Sequence, residues 1–416
     1  MTSVTMGFHK CKLTPKLPVL LGGFRAHREA TKVHDDLYGR CVIFEKGEDR
    51  FGLIQLDWLA VDDLFLKRLE NQLAELHLPL EHLFVTAIHT HSGPAGVTDT
   101  FGMTDVFGEP NLSYLDWCAE QIKEACEIAL ANQQTFTISV GHSQVEQVGT
   151  ERNDPSRKGD KSLLYLELTR EDGKTVIIYN YACHPTVLGP GNLEITKDLP
   201  SGVDEKWPAD LVLFWNSCCG DISTRFTRES STFSQIDIYT ERLMEALHEA
   251  KQNKKALGVC HSLQIKQYVK MFPCKELPSL EKANAYVVEC EKALEEAKEQ
   301  GIEGQALRLI QTKQEGAVTA LTLVKGLGDR KEFPIKITLL EIQGLKIIGI
   351  SGELFSTLGV PLKEQGIEVV AYTNGYSLYI ADTKAYETGV YEALSSPFAK
   401  GVGERLLEEI QAIMQG

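Results

Sequence analysis

The sequence predicts an α/β (α+β) protein in which a mixed β-sheet core is flanked by helices. Apolar runs of strand length alternate along the chain with segments whose apolar residues recur at helical spacing. Two pairs of strand-like runs are separated by short segments that contain the turn sequences G-E-D and E-D-G-K, which indicate antiparallel hairpins. The 416 residues show neither an internal repeat nor a disordered linker, so we expect one domain spanning 1–416.

The first 250 residues contain most of the predicted sheet. Each strand-like run is rich in Val, Ile, Leu, Phe or Tyr, and each helical segment has apolar residues three or four positions apart. The predicted strands are 41–46, 51–56, 83–88, 135–148, 163–168, 175–181 and 211–215, and the predicted helices are 62–76, 115–130 and 236–250. Asn111 or Ser113 is a suitable N-cap for the second of these helices.

The remainder of the chain contains a segment of different character, residues 279–314. It is rich in Glu, Lys, Ala and Leu, and Gly301 and Gly304 divide it, which predicts an inserted hairpin of two surface helices. The hairpin could be a lid or partner-binding arm, or a solvated excursion without function. Beyond it we expect strands at 333–342, 346–350 and 369–371 and helices at 355–363 and 403–415.

Composition and charge exclude several classes of partner. Lys and Arg number 43 against 58 Asp and Glu, a net charge of -15 that argues against nucleic acid or an anionic membrane. No apolar run reaches the length of a transmembrane helix, and no signal peptide is recognisable. The ten cysteines form no C-x-x-C pair, so we expect reduced thiols and a cytoplasmic location. The sequence leaves open whether the chain forms a homo-oligomer.

Several predicted strands end in a polar residue followed by a Gly- or Pro-containing turn. The clearest case is His89 and His91, which follow strand 83–88 and would point to the same side of an extended segment. Because functional side chains of α/β proteins gather at strand ends, we expect these loops to form one site. The other residues in such positions are His184, Asp221, Ser223 and Glu353, and the polar segment N-G-Y-S-L-Y at 374–379 is a further case.

Three of these residues form a set that suits a metal. His89, His184 and Glu353 would supply two imidazoles and one carboxylate, which fits Zn²⁺ with a position left for water or substrate. Zinc lowers the pKa of bound water to about 7, so hydroxide forms at neutral pH. The same ligands would also serve non-heme iron, and the residue types alone leave both metals open.

Five short motifs occur in order between His89 and Glu392. They are H-T-H-S-G-P-A-G from His89, A-C-H-P-T from Ala182, G-D-I-S from Gly220, S-G-E-L-F from Ser351, and the segment from Tyr379 to Glu392 that contains Tyr386 and Tyr391. This ordered set resembles the catalytic N-terminal domain of the neutral/alkaline (non-lysosomal) ceramidase family, zinc amidases that cleave the N-acyl bond of ceramide. The corresponding family motifs are H-T-H-S-G-P-G-G, A-x-H-P-T, G-D-V-S-P-N, P-G-E-x-x-T and Y-x-T-x-x-E-Y-x-x-x-x-Y-E.

The resemblance implies specific roles for eight residues. The implied zinc ligands are His89, His184, Glu353 and Tyr379. The residues implied to line the scissile amide are His91, Arg152 (in E-R-N, similar to the family's N-R-S) and Tyr391. Ser223 matches the serine of the hexapeptide, for which we prefer a substrate contact or hydrogen-bonding support of the metal loop over a covalent role.

The sequence also departs from the family. Thr224 and Arg225 stand where the family has Pro and Asn, and we expect neither the family's C-terminal β-sandwich nor its export signal in this protein. The hypothesis is therefore a zinc-dependent amidohydrolase that uses a zinc-activated water on an N-acyl amide, either a ceramide-like lipid or a smaller molecule. The alternatives are an esterase or other acyl hydrolase, a non-catalytic metal- or ligand-binding homologue, and an assembly partner acting through 279–314.

Overall fold

The computed structural model describes residues 3–24, 28–154, 156–157 and 159–415, with the side chains at 305 and 308 outside this set. Its largest element is a mixed sheet of nine described strands. They are β1 (Thr5–Lys12), β2 (Tyr38–Lys46), β3 (Asp49–Leu56), β4 (Leu83–Ala87), β5 (Gln134–Gln144), β6 (Ser162–Arg170), β7 (Thr175–Tyr181), β8 (Leu211–Asn216) and β9 (Lys255–Val259).

The strand order of this large sheet is β8-β7-β6-β5-β1-β2-β3-β4, with β9 also paired to β5. Most neighbours are antiparallel, whereas β3 with β4 and β7 with β8 are parallel. The hairpins β2–β3 and β6–β7 turn at Gly47 and Gly173, whose φ angles of 66° and 83° favour glycine. The two parallel pairs matter for function, because their carboxyl ends carry the loops of the candidate site.

A second sheet stacks on one face of the large sheet. Its strands, in spatial order, are β10 (Leu263–Pro273), β11 (Glu332–Ile342), β12 (Leu345–Ile350) and β13 (Ile367–Val370), with β12 and β13 parallel. Successive side chains of a strand point to opposite faces of its sheet, so they pack into separate hydrophobic clusters on the two faces. In β8, for example, Leu213 and Trp215 belong to the cluster between the sheets, and Val212 and Phe214 belong to the cluster on the opposite face.

Helices cover the outer faces of both sheets. They are α1 (Asp63–Leu73), α2 (Thr104–Phe107), α3 (Leu112–Ala131), α4 (Ser201–Lys206), α5 (Phe233–Gln252), α6 (Leu280–Glu299), α7 (Gly304–Leu327), α8 (Ser356–Lys363), α9 (Thr383–Thr388), α10 (Tyr391–Ser395) and α11 (Val402–Gln415). Apolar faces of α1, α3 and α5 pack on the large sheet, and those of α8 and α11 pack on the second. The result is a four-layer α/β/β/α arrangement.

The predicted mixed sheet core with flanking helices is therefore confirmed, and it consists of two stacked sheets. Asn111 caps α3 by accepting a hydrogen bond from the backbone N–H of Tyr114. Three strands, β1, β9 and β10, lie in segments to which the sequence assigned no element. In the 279–314 region, α7 continues past residue 314 to Leu327. No helix in the described part of the chain has the length and apolarity needed to span a bilayer.

Candidate active site

The candidate site lies at the carboxyl ends of strands from both sheets. β4 ends at Ala87 just before His89, β7 ends at Tyr181 before His184, and β12 ends at Ile350 before Glu353. Glu353 begins a two-residue strand, Glu353–Leu354, that pairs in parallel with Tyr379–Ile380 and places Glu353 opposite Tyr379. Four of the predicted site residues are thereby brought to one rim by backbone pairing.

His89 is held in a fixed and unusual conformation. Its φ of 71° lies in the left-handed region, which costs a non-glycine residue free energy and is common at functional sites. The backbone N–H of His89 donates to the carbonyl of Trp58, and Nδ1–H donates to the carbonyl of Leu59 at 2.7 Å. The ring stacks on Tyr372 with centroids 4.1 Å apart, so the orientation of Nε2 is set from several sides.

His184 is oriented in the same way. Its Nδ1 lies 2.7 Å from the carbonyl of Cys219 and 3.1 Å from that of Ile222, and both can only accept a hydrogen bond. The proton must therefore sit on Nδ1, which leaves a lone pair on Nε2 when the imidazole is neutral. Burial, reinforced by nearby Arg152, lowers the pKa of His184 to about 3, and this favours the neutral ring.

Glu353 places a carboxylate against these lone pairs. Its Oε2 lies 3.0 Å from Nε2 of His184 and 3.5 Å from Nε2 of His89, and its side chain is almost fully buried. Tyr376 donates its hydroxyl to Oε1 at 2.5 Å, and Tyr372 donates more weakly to Oε2 at 3.4 Å. Two tyrosines therefore fix the carboxylate, as supporting groups of a metal ligand do.

The donor set fits a cation. His89 and His184 both have their protons directed at backbone carbonyls, and burial lowers the pKa of each to about 3. Neutral imidazole lone pairs and a carboxylate oxygen consequently face one another without a hydrogen between them, an arrangement that a bound cation satisfies. Imidazole and carboxylate ligands of this kind suit zinc and non-heme iron alike.

His91 also reaches this centre. Its Nε2 lies 3.3 Å from Nε2 of His89, and one nitrogen from each of His89, His91 and His184 falls within 4.8 Å of the others, so the three could hold a metal ion. The other nitrogen, Nδ1, is buried and has no hydrogen-bond partner among the described residues. The His91 ring also contacts Phe24 at the cavity wall, which leaves a metal role and a substrate role both open.

An ion pair supports the opposite wall. Arg152 donates through Nε to Glu392 at 2.5 Å and through Nη2 to the hydroxyl of Tyr379 at 3.0 Å. Burial opposes the charge of Arg152, but Tyr379 and Glu392 outweigh it and raise the pKa of the guanidinium well above its usual value. Tyr391 meets Tyr379 edge to face at 5.8 Å, so three predicted residues form one cluster: Arg152, Tyr379 and Tyr391.

Ser223 lies close by on a short strand, Ile222–Ser223, which pairs with Thr150–Glu151 just before Arg152. Its Oγ accepts a hydrogen bond from the backbone N–H of Arg225 at 3.3 Å. The Asp221 carboxylate accepts hydrogen bonds from both the backbone N–H and the hydroxyl of Ser356, at 2.6 and 2.7 Å. Asp221 thus ties this loop to the start of α8.

A cavity of about 290 Å³ connects these groups. It is lined by Gly23, Phe24, His91, Arg152, His184, Thr186, Gly189, Pro190, Ser223, Arg225, Arg228, Gln311, Thr312, Glu315, Tyr379 and Tyr391. A larger cavity of about 600 Å³ includes Tyr376 but none of the histidines. We assign the smaller cavity to the site because it adjoins the converging imidazoles.

The structure brings together all eight residues that the sequence singled out: His89, His91, Arg152, His184, Ser223, Glu353, Tyr379 and Tyr391. The sequence analysis assigned no role to three supporting residues. Tyr372 stacks on His89, Tyr376 donates a hydrogen bond to Glu353, and Glu392 accepts one from Arg152. The only signal for Tyr376 was its position in the polar N-G-Y-S-L-Y segment.

Comparisons with known proteins bear on the fold. No protein-family model matches the sequence, and no curated protein matches it. Among solved structures, neutral ceramidase from Pseudomonas aeruginosa superposes with a TM-score of 0.72 at 16% identity, covering 98% of this chain and 74% of that one. A structure described as ceramidase complexed with C2 gives the same TM-score and coverage at 14% identity. The chain therefore has the neutral ceramidase-like fold.

Proposed function

We propose that the chain is a zinc-dependent amidohydrolase that cleaves an N-acyl amide bond. The observation that carries the proposal is the convergence of two neutral imidazoles and the Glu353 carboxylate at the end of a cavity lined by Arg152 and Tyr391. The fold shared with neutral ceramidase supports the same chemistry. Converging acceptor groups beside a substrate-sized cavity are typical of a hydrolytic metal site.

The metal would be held by His89, His184, Glu353 and Tyr379. Zinc in such a site supplies hydroxide near neutral pH and polarises a carbonyl as a Lewis acid. The carbonyls of Leu59 and Cys219 hold the two imidazoles in the tautomer that a metal requires. Tyr376 fixes the carboxylate through its hydroxyl.

The remaining residues act on the amide. Hydrolysis forms a carbon–oxygen bond from water, breaks the carbon–nitrogen bond and delivers a proton to the leaving nitrogen. The Arg152 guanidinium and the Tyr391 hydroxyl line the cavity, where they can stabilise negative charge that develops on the amide oxygen. His91 lines the same cavity, and its Nε2 lies 3.3 Å from Nε2 of His89, so this imidazole can pass a proton to the leaving nitrogen. Ser223 orders the loop or contacts substrate.

The test combines metal content with hydrolysis of N-acyl amines, N-acyl lipids and acyl esters. His89→Ala should lose both zinc and activity, because it removes a ligand. His91→Ala should retain zinc and lose activity by about 100-fold or more, the scale of general acid–base catalysis. His261→Ala, an exposed histidine, is the matched control. Loss of zinc from His91→Ala would show that His91 is a metal ligand. Hydrolysis of esters but not of amides would indicate an esterase. Zinc binding without turnover of any acyl compound would indicate a non-catalytic homologue.

We infer further that the chain works as a single domain in the cytoplasm, with 279–314 as an insertion. All ten cysteines are unpaired, as expected of a reducing compartment. Fractionation of the source cells should place the protein in the cytosol, and titration of the unfolded protein should find its thiols reduced. Recovery from a membrane or secreted fraction would contradict the location.

A further inference from the structure

Arg28 is a buried guanidinium whose hydrogen-bond acceptors among the described residues are all backbone carbonyls. It begins a short strand, Arg28–Ala30, that pairs with Val19–Leu21. The residue is 9% exposed, and no carboxylate in the described part of the chain forms an ion pair with it. Burial lowers its pKa to about 10, so it stays charged at neutral pH. A buried charge without a counter-ion costs free energy, which its hydrogen bonds must offset.

The three carbonyls that bind Arg28 belong to three segments around His91. Nη2 donates to the carbonyl of His91 itself at 2.7 Å and to that of Gly22 at 2.8 Å, and Nη1 donates to that of Asn192 at 3.3 Å. Asn192 in turn donates through Nδ2 to the hydroxyl of Ser92 at 2.9 Å. One guanidinium therefore joins the loop that carries His91 to two neighbouring loops.

The imidazole ring of His91 is positioned by packing. A Cβ at Gly23 would lie 2.6 Å from Cγ of His91, so the ring lies directly against the glycine backbone. The ring centroid of Phe24 is 4.7 Å from that of His91, and Cζ of Arg28 lies 5.0 Å from the centre of the Phe24 ring. Nδ1 of His91 has no hydrogen-bond partner among the described residues. Arg28 thus contacts both the backbone of His91 and a residue on which its ring packs.

We propose that Arg28 is a positioning residue of the hydrolase: its guanidinium holds His91 where the imidazole can pass a proton to the leaving nitrogen. The inference rests on the proposed amidohydrolase function. A planar guanidinium presents its donors in a fixed fork, so it can hold several carbonyls in set directions. A small displacement of a group that transfers a proton lowers the rate steeply. Removal of Arg28 should therefore impair proton transfer more than it impairs the binding of metal or substrate.

Two acetyl compounds separate proton transfer from the other steps. N-acetylphenethylamine needs a proton on its nitrogen when the carbon–nitrogen bond breaks, whereas p-nitrophenyl acetate releases a phenolate that leaves without one. Arg28→Ala should lower kcat for the amide by about 10- to 100-fold, while KM, zinc content and ester hydrolysis stay within about twofold. Equal losses on the two substrates, or loss of zinc, would overturn the assignment.

Arg50 provides the matched control, because it also donates to a backbone carbonyl, that of Leu76 at 2.7 Å. Arg50→Ala should leave both rates unchanged. If Arg28→Ala does not fold, Arg28→Lys keeps the charge without the fork and takes its place in every comparison, with the same selective loss on the amide expected.

The double variant Arg28→Ala/His91→Ala tests whether Arg28 acts through His91. It should hydrolyse the amide no more slowly than His91→Ala alone, because residues that act through one group have non-additive effects. A double variant that shows the product of the two single losses would overturn the assignment.

Nuclear magnetic resonance of protein with isotope-labelled histidine gives a measurement that needs no turnover. The ring signals of His91 should shift in Arg28→Ala, while those of the exposed His261 should stay in place. Unchanged His91 signals would overturn the inference. If the parent chain cleaves no amide, the proposed function fails, and these signals alone then decide whether Arg28 positions His91.

Discussion

The ion pair between Arg152 and Glu392 makes a stringent prediction, because it is buried and joins two parts of the site. The side chains of Arg152 and Glu392 are 9% and 1% exposed, and Glu392 also accepts a hydrogen bond from Nδ2 of Asn153 at 2.9 Å. Replacing Glu392 with Gln keeps the shape and removes the charge. It leaves Arg152 without its buried counter-ion and turns an amide N–H₂ towards the Asn153 donor.

The expected cost is large. Removing one partner of a buried ion pair destabilises proteins by about 3–5 kcal/mol, because the remaining charge stays buried without compensation. Glu392→Gln should therefore lower the free energy of unfolding by about 3 kcal/mol, and hydrolysis should fall because Arg152 also positions the hydroxyl of Tyr379. Glu387→Gln is the matched control, since its ion pair with Lys400 is half-exposed and such pairs contribute about 0–1 kcal/mol.

Urea unfolding monitored by tryptophan fluorescence measures both variants against the parent chain. A loss below 1 kcal/mol for Glu392→Gln would refute the reasoning, since Arg152 would then have found solvent or another partner. The double variant Arg152→Met/Glu392→Leu separates stability from function. It should recover much of the lost stability because no charge remains buried, and it should remain inactive.

Two further predictions concern packing and pH. Gly326→Ala should destabilise the protein by about 1–3 kcal/mol and raise KM, because the new methyl group displaces α7. Gly191→Ala is the control: its methyl group meets open space, so thermal unfolding and kinetics should be unchanged. Burial raises the pKa of Asp221 from 3.8 to about 7, so the folded state holds this proton more tightly than the unfolded state does. The stability that this bound proton contributes is fully present below pH 3.8 and is lost as pH rises towards 7. Asp221→Asn should flatten this decline when the urea midpoint is measured against pH. A slope of urea midpoint against pH that is the same in the variant and the parent chain would contradict the raised pKa of Asp221.

Local patterns predicted the parts of the fold that local interactions determine. The hairpins β2–β3 and β6–β7 combine apolar runs with glycine turns, and both strand pairs form as the sequence indicated. β1 was not predicted, although it lies in the middle of the large sheet between β2 and β5. Its sequence, TMGFHKCK, mixes polar and apolar residues without clear alternation, so its place is set by pairing with strands distant in the chain.

The same distinction applies to the site. His89, His184 and Glu353 stand at strand ends in recognisable motifs, and the fold brings them together. Tyr372 and Glu392 contribute through contacts with His89 and Arg152, residues more than 200 positions away in the chain. Sequence spacing carries no information on such contacts.

The most direct test of the central claim is a zinc titration of metal-free protein in which bound metal and hydrolysis are followed together. The site predicts uptake of about one equivalent per chain with activity rising in proportion. His184→Ala should bind none at this site and remain inactive, while His261→Ala should behave like the parent chain. A parent chain that binds no zinc, or a His184→Ala variant that still takes up one equivalent and hydrolyses amides, would contradict the account.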